Sequence, residues 1–420
     1  MKSAVRSLRV VSVGMVALGI AGCGASLSGP GTGVGGGRGA STGAGGERGT
    51  GSSTGTGDTA GTGSSTGAGD AAGTGASTGV GGAAGTGAST GAGGQGGAGS
   101  LPPSGGTTGA GAIGGAGGVL PSGQIVEFPA WISEAAPYNI TTGPDGNLWM
   151  TDRSITNYLS FITPNGLGGF LGMSSDSELP TGLVAGPDGN LWLADATSAP
   201  AITRISTGGN ATTYDIANAT PMYITVGADG ALWFTDPSRN VIGRITTAGN
   251  ISAYPIPTVG SGPLGIAAGP DGAIWFTETS ANQIGRLTSA GTFTELPIPT
   301  SASAPQLIAA GRDGALWFTE RDANQIGRVT TAGVLSELSV PTLGSKPVGI
   351  AAGPDGALWF TETAGRAIGR VGSDEKITEY PLPATDVQPL GITAGPDGDI
   401  WFTEEVGGGV VGGRIARLTP

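Results

Sequence analysis

The chain has 420 residues, 85 of them glycine, with a formal net charge of −12, one cysteine and no histidine. A single thiol excludes an intrachain disulfide, and the lack of imidazole excludes histidine-based acid–base chemistry and histidine-ligated metals within these residues. The acidic excess sits in the C-terminal part: residues 123–420 carry 14 basic and 28 acidic groups. Such a surface repels phosphate backbones, so nucleic acid is excluded as a favoured partner.

Lys2, Arg6 and Arg9 open the chain, followed by an apolar run from Val10 to Ile20 that is too short to span a bilayer comfortably. A basic start, a short apolar core and small residues before a cleavage point define a secretory signal. Here they lead into Leu18-Gly19-Ile20-Ala21-Gly22-Cys23, and Cys23 is the chain's only cysteine. The segment resembles the lipobox of bacterial lipoproteins. That resemblance implies cleavage before Cys23 and attachment of acyl chains to it, each buried methylene worth roughly 0.8 kcal/mol of membrane affinity. Residues 1–23 are therefore expected to be a lipoprotein signal peptide. The mature chain is expected to be exported and lipid-anchored to the bacterial cell envelope, with its folded part outside the cytoplasm.

Residues 24–122 are almost entirely Gly, Ser, Thr and Ala, and Ser-Thr-Gly recurs from 41, 53, 65, 77 and 89. With almost no apolar side chains to bury, this repetitive segment cannot offset its ordering entropy and is expected to be a disordered linker. A flexible chain of about 100 residues has an r.m.s. span of roughly 50–60 Å. Its Gly-x-Gly patterns follow from composition and lack the flanking strand and helix of a phosphate loop.

From residue 123 a different repeat begins, centred on Gly-Pro-Asp-Gly-x-Leu/Ile-Trp-Phe-Thr-Glu. Its tryptophans are Trp149, Trp192, Trp233, Trp275, Trp317, Trp359 and Trp401, spaced 41 to 43 residues apart. That period, with several short strands per unit, predicts propeller blades. The fourth unit shows the pattern. A strand over 263–268 is followed by the Pro270-Asp271-Gly272 turn, a strand over 273–278, a third over 284–288 and a fourth over 292–298. Fourth strands begin near Gly168, Asn210, Asn250, Thr292, Val334 and Lys376, one short of seven, and the chain stops after the third strand of the last unit. Ile125-Val126-Glu127-Phe128-Pro129 has the fourth-strand pattern. It is expected to complete the last blade and remove an open sheet edge. The fold class is thus all-β: residues 123–420 form a seven-bladed β-propeller of four-stranded antiparallel blades, closed by an N-terminal strand.

Residues present in every blade serve the repeat. The Trp-Phe pairs are expected to pack between blades, and the Asp of each turn to be a turn residue, with no calcium-loop spacing beside it. Arg244, Arg286, Arg328 and Arg370 are expected to pair with Glu278, Glu320, Glu362 and Glu404. A binding site is expected where the repeat breaks.

Gly-Pro-Asp-Gly-Ala-Leu-Trp-Phe-Thr-Glu followed by Asn-Gln-Ile-Gly-Arg resembles the streptogramin B lyase (virginiamycin B lyase) family over about residues 123–420. The resemblance implies a seven-bladed propeller that opens cyclic depsipeptides by elimination with Mg²⁺, at a site near the central channel in the last two blades. It also implies two histidines, each just after the proline that begins a first strand, assisted by two glutamates. Carried onto this sequence, the proline-following positions are Tyr138, Thr181, Met222, Leu264, Gln306, Val348 and Leu390. Val348 and Leu390 stand where the resemblance implies histidine, Gln388 stands for one glutamate, and only Glu405 keeps the implied type, as the sole candidate catalytic residue. Elimination needs a base for the α-proton and an acid for the leaving oxygen, each worth roughly 10²–10⁴ in rate.

Loops entering first strands and leaving second strands share one propeller face. They bring Trp131, Tyr138, Met222, Tyr223, Gln306 and Lys346 toward the channel mouth from one side of the blades, and Arg153, Arg321 and Glu405 from the other. These types make good contact residues. The sequence leaves three functions open. One is a non-catalytic binding or scaffold module for a peptide, glycan or envelope protein. The second is an enzyme, either a lyase of the family type with Mg²⁺ or a diverged hydrolase using carboxylates. The third is a purely structural surface protein. The expected partners are the membrane, through the lipid, and that envelope ligand; the chain is expected to be a monomer.

Overall fold

The computed structural model describes residues 122–129, 135–153, 158–172, 180–196, 199–406 and 413–420. The leader with Cys23, the linker up to residue 121 and Trp131 lie outside them. Among the described residues every regular element is a strand, and the strands form seven antiparallel four-stranded sheets. Six sheets are consecutive in the chain. The seventh has the order Ile125–Pro129, Gly413–Leu418, Ile400–Val406, Val387–Ala394, so the N-terminal strand supplies its outer edge as expected. Ile125 pairs with Leu418 and Phe128 with Ile415, and the Phe128 ring stacks 5.6 Å from Trp401.

Blade four shows how the sequence makes each element. Its strands are Pro263–Ala268, Ile274–Glu278, Gln283–Leu287 and Phe293–Pro297, within one or two residues of the ranges expected. The second strand, Ile-Trp-Phe-Thr-Glu, is buried at all five positions, because each blade is covered on both faces by its neighbours. Successive side chains point to opposite faces, so Trp275 faces blade five and Phe276 faces blade three. Trp275 packs with Phe318, Trp233 with Phe276, Trp317 with Phe360, and Trp359 with Phe402. Blades one and two supply smaller partners: Trp149 packs with Leu193, and Trp401 closes the ring on Met150. Each interface thus rests on one indole from one blade and one apolar side chain from the next. Truncating either member costs about 3–5 kcal/mol.

The third strand is fitted to the second. Phe276, Phe318 and Phe360 lie opposite Gly285, Gly327 and Gly369, and a Cβ on any of these glycines would stand 2.0–2.1 Å from the phenyl Cζ. Where the second-strand residue is not aromatic, the third strand carries a side chain: Ser160 opposite Met150, and Thr203 opposite Leu193. Volume is conserved across the pair, as close packing requires.

One expectation is corrected. The repeated arginines do not pair with the strand-end glutamates. Arg286 Nε donates to Asp271 Oδ2 at 2.8 Å, and Arg244, Arg328 and Arg370 likewise reach Asp229, Asp313 and Asp355. The register explains this. Arg286 lies opposite Trp275, near the turn, whereas Glu278 lies opposite Gln283, three residues and so about 10 Å along the strand. Asp271 also accepts from Trp275 Nε1 at 3.1 Å, and the guanidinium sits 5.6 Å from the indole centroid. Burial pushes the Asp271 carboxyl up, but the hydrogen bonds from Trp275 and Arg286 outweigh it and hold it below the ordinary value. The turn aspartates thus also anchor the tryptophans.

Candidate functional site

The first strands line the channel, and each begins Pro-x-x-(Ile/Leu). The third residue after each proline (Ile140, Leu183, Ile224, Ile266, Ile308, Ile350 or Ile392) is buried. Six of the seven border a central cavity of about 150 Å³; Ile140 does not. The residue directly after the proline is held in place by its neighbour. Thr277 Oγ1 donates to the Gln306 carbonyl of the next blade at 2.7 Å while accepting from Gly265 N at 2.9 Å. Thr235, Thr319, Thr361 and Thr403 bond the carbonyls of Leu264, Val348, Leu390 and Tyr138 in the same way. Blade two has Ala194 at the threonine position, and there Thr181 supplies the hydroxyl to Met222 O at 2.7 Å. This clamp lets first strands approach closely: a Cβ on Gly265 would lie 2.5 Å from Gln306 O.

Three of the expected site residues meet. The Tyr138 and Tyr223 hydroxyls share a hydrogen bond of 2.7 Å between blades one and three. The Arg153 guanidinium carbon lies 3.3 Å from the centroid of the Tyr138 ring. Burial drives the Tyr223 phenol well above its ordinary value, with Tyr138 adding to the shift and Arg153 opposing it. Tyr138 and Tyr223 both line the cavity, together with Asn139.

The other expected residues are dispersed. Lys346 Nζ bonds Asp322 Oδ1 at 3.0 Å, and Arg321 pairs with the same carboxylate at 3.5 Å. Gln306 turns its amide back onto Ala304 O at 3.1 Å. Met222 is half-buried, its carbonyl taken by Thr181. Glu405 is half-buried opposite Gln388, with no hydrogen bond or ion pair among the described residues. Val348 and Leu390 both line the cavity, so the positions implied to be imidazole form an aliphatic wall. Among the described residues no group of three or more His, Cys, Asp or Glu could hold a metal ion. Glu405 lies opposite an amide rather than a second carboxylate, so the donors among the described residues do not fit Mg²⁺.

The sequence reading missed a series of buried acids. Glu278, Glu320 and Glu362 end the second strands of blades four to six, Glu404 holds the equivalent place in blade seven, and all four are fully buried, with no donor in good geometry at either carboxylate oxygen. Each faces a second glutamate on its blade's fourth strand: Glu295, Glu337, Glu379 and Glu127 respectively. Burial, then the neighbouring carboxylate, raises Glu278 to about 7 and the other three to about 8. The signal was a glutamate recurring 17 residues after each of the first three.

The architecture defines a seven-bladed propeller with a small central cavity, lined mainly by aliphatic side chains and a tyrosine pair of which one ring is stacked under Arg153. Comparison with known proteins agrees. The family model described as virginiamycin B lyase family matches residues 170–419, and the chain belongs to that family. A catalytically inactive histidine-to-alanine variant of virginiamycin B lyase from Staphylococcus aureus, solved with quinupristin, is 37% identical. The match covers 70% of this chain and 99% of that one, with a TM-score of 0.65. A streptogramin B lyase structure is 36% identical over 70% of this chain and 98% of its own, with the same TM-score. Hydrazine synthase from Kuenenia stuttgartiensis shares the fold alone, at 16% identity, covering 64% and 92% of the two chains with a TM-score of 0.54. No curated protein sequence matches.

Proposed function

We propose that this chain is a non-catalytic binding module on the lyase propeller, tethered to the cell envelope through a lipid on Cys23. One observation carries the reading: the 420 residues contain no histidine, and Val348 and Leu390 occupy the two implied imidazole positions. The Staphylococcus aureus relative is described as catalytically inactive after a single histidine-to-alanine change. No other pair at this mouth is suited to take an α-proton and protonate a leaving oxygen near neutral pH. Glu405 lies opposite Gln388 rather than a second acid, and Tyr223 holds its proton. The lipobox-like leader and long polar linker support display of a monomeric propeller outside the cytoplasm, toward a peptide, glycan or envelope-protein ligand.

Incubating the protein with a streptogramin B and Mg²⁺, and following ring opening by chromatography, tests the reading. No opening above background is expected. Opening that Glu405→Gln reduces would establish the lyase instead. Anchoring is tested separately by fatty-acid labelling in cells, which Cys23→Ser should abolish.

A further inference from the structure

Resting on the binding-module reading, we infer that the channel mouth selects a monocarboxylate that carries an apolar group of about benzene size. The inference starts from Arg153. At 3.3 Å its guanidinium carbon is in van der Waals contact with the face of the Tyr138 ring. That distance requires a face-on stack, which lays the guanidinium parallel to the ring with its N–H groups pointing outward past the ring edge. Arg153 is exposed and forms no ion pair with any described carboxylate, Glu405 on the neighbouring blade included. The other mouth cations, Arg321 and Lys346, share Asp322. A stacked guanidinium with no ion-pair partner among the described residues matches a carboxylate bidentately.

The same stack shapes the rest of the ligand. It covers a face of Tyr138, so a flat ring cannot lie there. Beside it, the hydrogen-bonded hydroxyls of Tyr138 and Tyr223 leave one further O–H and several lone pairs for a polar group next to the carboxylate. Blades four to seven, Val348 and Leu390 included, offer the cavity only aliphatic side chains. The cavity between is about 150 Å³, a volume that in an apolar protein interior accepts benzene. A phosphate is disfavoured: one guanidinium serves it, and residues 123–420 carry 28 acids against 14 bases. Two sources supply the favoured chemistry, the C-terminus of a peptide ending in an apolar residue and a short free acid.

Titration calorimetry of the full chain with N-acetyl-L-leucine, 4-methylpentanoate and the primary amide of each tests the proposal. The acids should bind at least tenfold more tightly than their amides, and Arg153→Gln should erase that preference. Tyr223→Phe should weaken the acids severalfold while the fold, checked by melting temperature, persists. Tighter binding of N-acetyl-L-leucine would identify a peptide terminus, and tighter 4-methylpentanoate a free acid. Equal binding of acid and amide, an unchanged preference in Arg153→Gln, or no binding by any probe would overturn the inference. Those three results leave the non-catalytic reading standing, whereas ring opening of a streptogramin would overturn that reading without bearing on the preference for acids.

Discussion

Blades four to seven repeat one another closely, whereas blades one to three depart from the pattern at the same few positions. In the regular group the second strand ends in glutamate, which reaches a glutamate of the fourth strand. In the irregular group it ends in Asp152, Asp195 and Asp236, one methylene shorter. Asp152 and Asp236 instead accept from the backbone amides of Ala136 and Thr220, at 3.1 and 3.0 Å, in the loops before their first strands. The tyrosine pair and the stacked Arg153 guanidinium also belong to the irregular group. The scaffold is thus kept by repetition on one side of the ring, and the chemistry is concentrated where repetition is relaxed.

The largest effect should come at the seam. Removing residues 122–129 leaves blade seven with three strands and strips Phe128 from Trp401. Loss of that ring alone is worth about 3–5 kcal/mol. The melting temperature should fall by roughly 10 °C or more, read by circular dichroism.

Next comes pH. The four buried glutamates are raised from 4.5 to about 7 or 8 in the fold. They favour the native state fully below pH 4.5, and that contribution is lost as pH rises through 7 to 8. Melting temperature should therefore decline between pH 5 and 8.5 by about 5 °C or more. The double change Glu320→Gln and Glu362→Gln should reduce the decline by roughly half, since Glu278 and Glu404 remain. Asp152→Asn, in the irregular group, should lower stability by a similar amount across that range, because it weakens an acceptor for a backbone amide. A decline undiminished by the double change would separate the carboxyl pairs from the pH effect.

The fit between second and third strands makes a smaller test. Gly327→Ser places a side chain against Phe318 and should cost about 1–3 kcal/mol. Adding Phe318→Leu should recover most of it, since blade two pairs Leu193 with Thr203. Smallest of all, Arg286→Ala should cost about 0.5 kcal/mol, because its ion pair with Asp271 is partly exposed.

These positions also show what the sequence conveys. Blade number, strand limits and the closing strand were legible because tryptophan spacing and turn residues repeat in one dimension. Tyr138, Arg153 and Tyr223 could be assigned to one face by topology. Their mutual contact could not, since it joins blades one and three across 85 residues of chain. The arginine partners were misread because charge type was weighed without register: the strand places Trp275, not Glu278, opposite Arg286. The carboxyl pairs escaped for a related reason, as two like charges give no expectation of contact until burial removes the charge.

The indoles anchored to the turn aspartates have an optical consequence. Seven of the eight tryptophans occupy equivalent buried positions, each bonded through Nε1 to its own turn aspartate, and five of them, Trp233, Trp275, Trp317, Trp359 and Trp401, lie beneath an arginine of their own blade. Native emission is then one averaged signal in which every blade speaks with nearly the same voice. In blade one the neighbour is Phe161, 5.1 Å from Trp149, rather than a guanidinium. Trp192, stacked on Tyr214, also lacks a cation above its ring among the described residues, so the light of blades one and two can be told from the rest, and blade one is the blade of Tyr138 and Arg153.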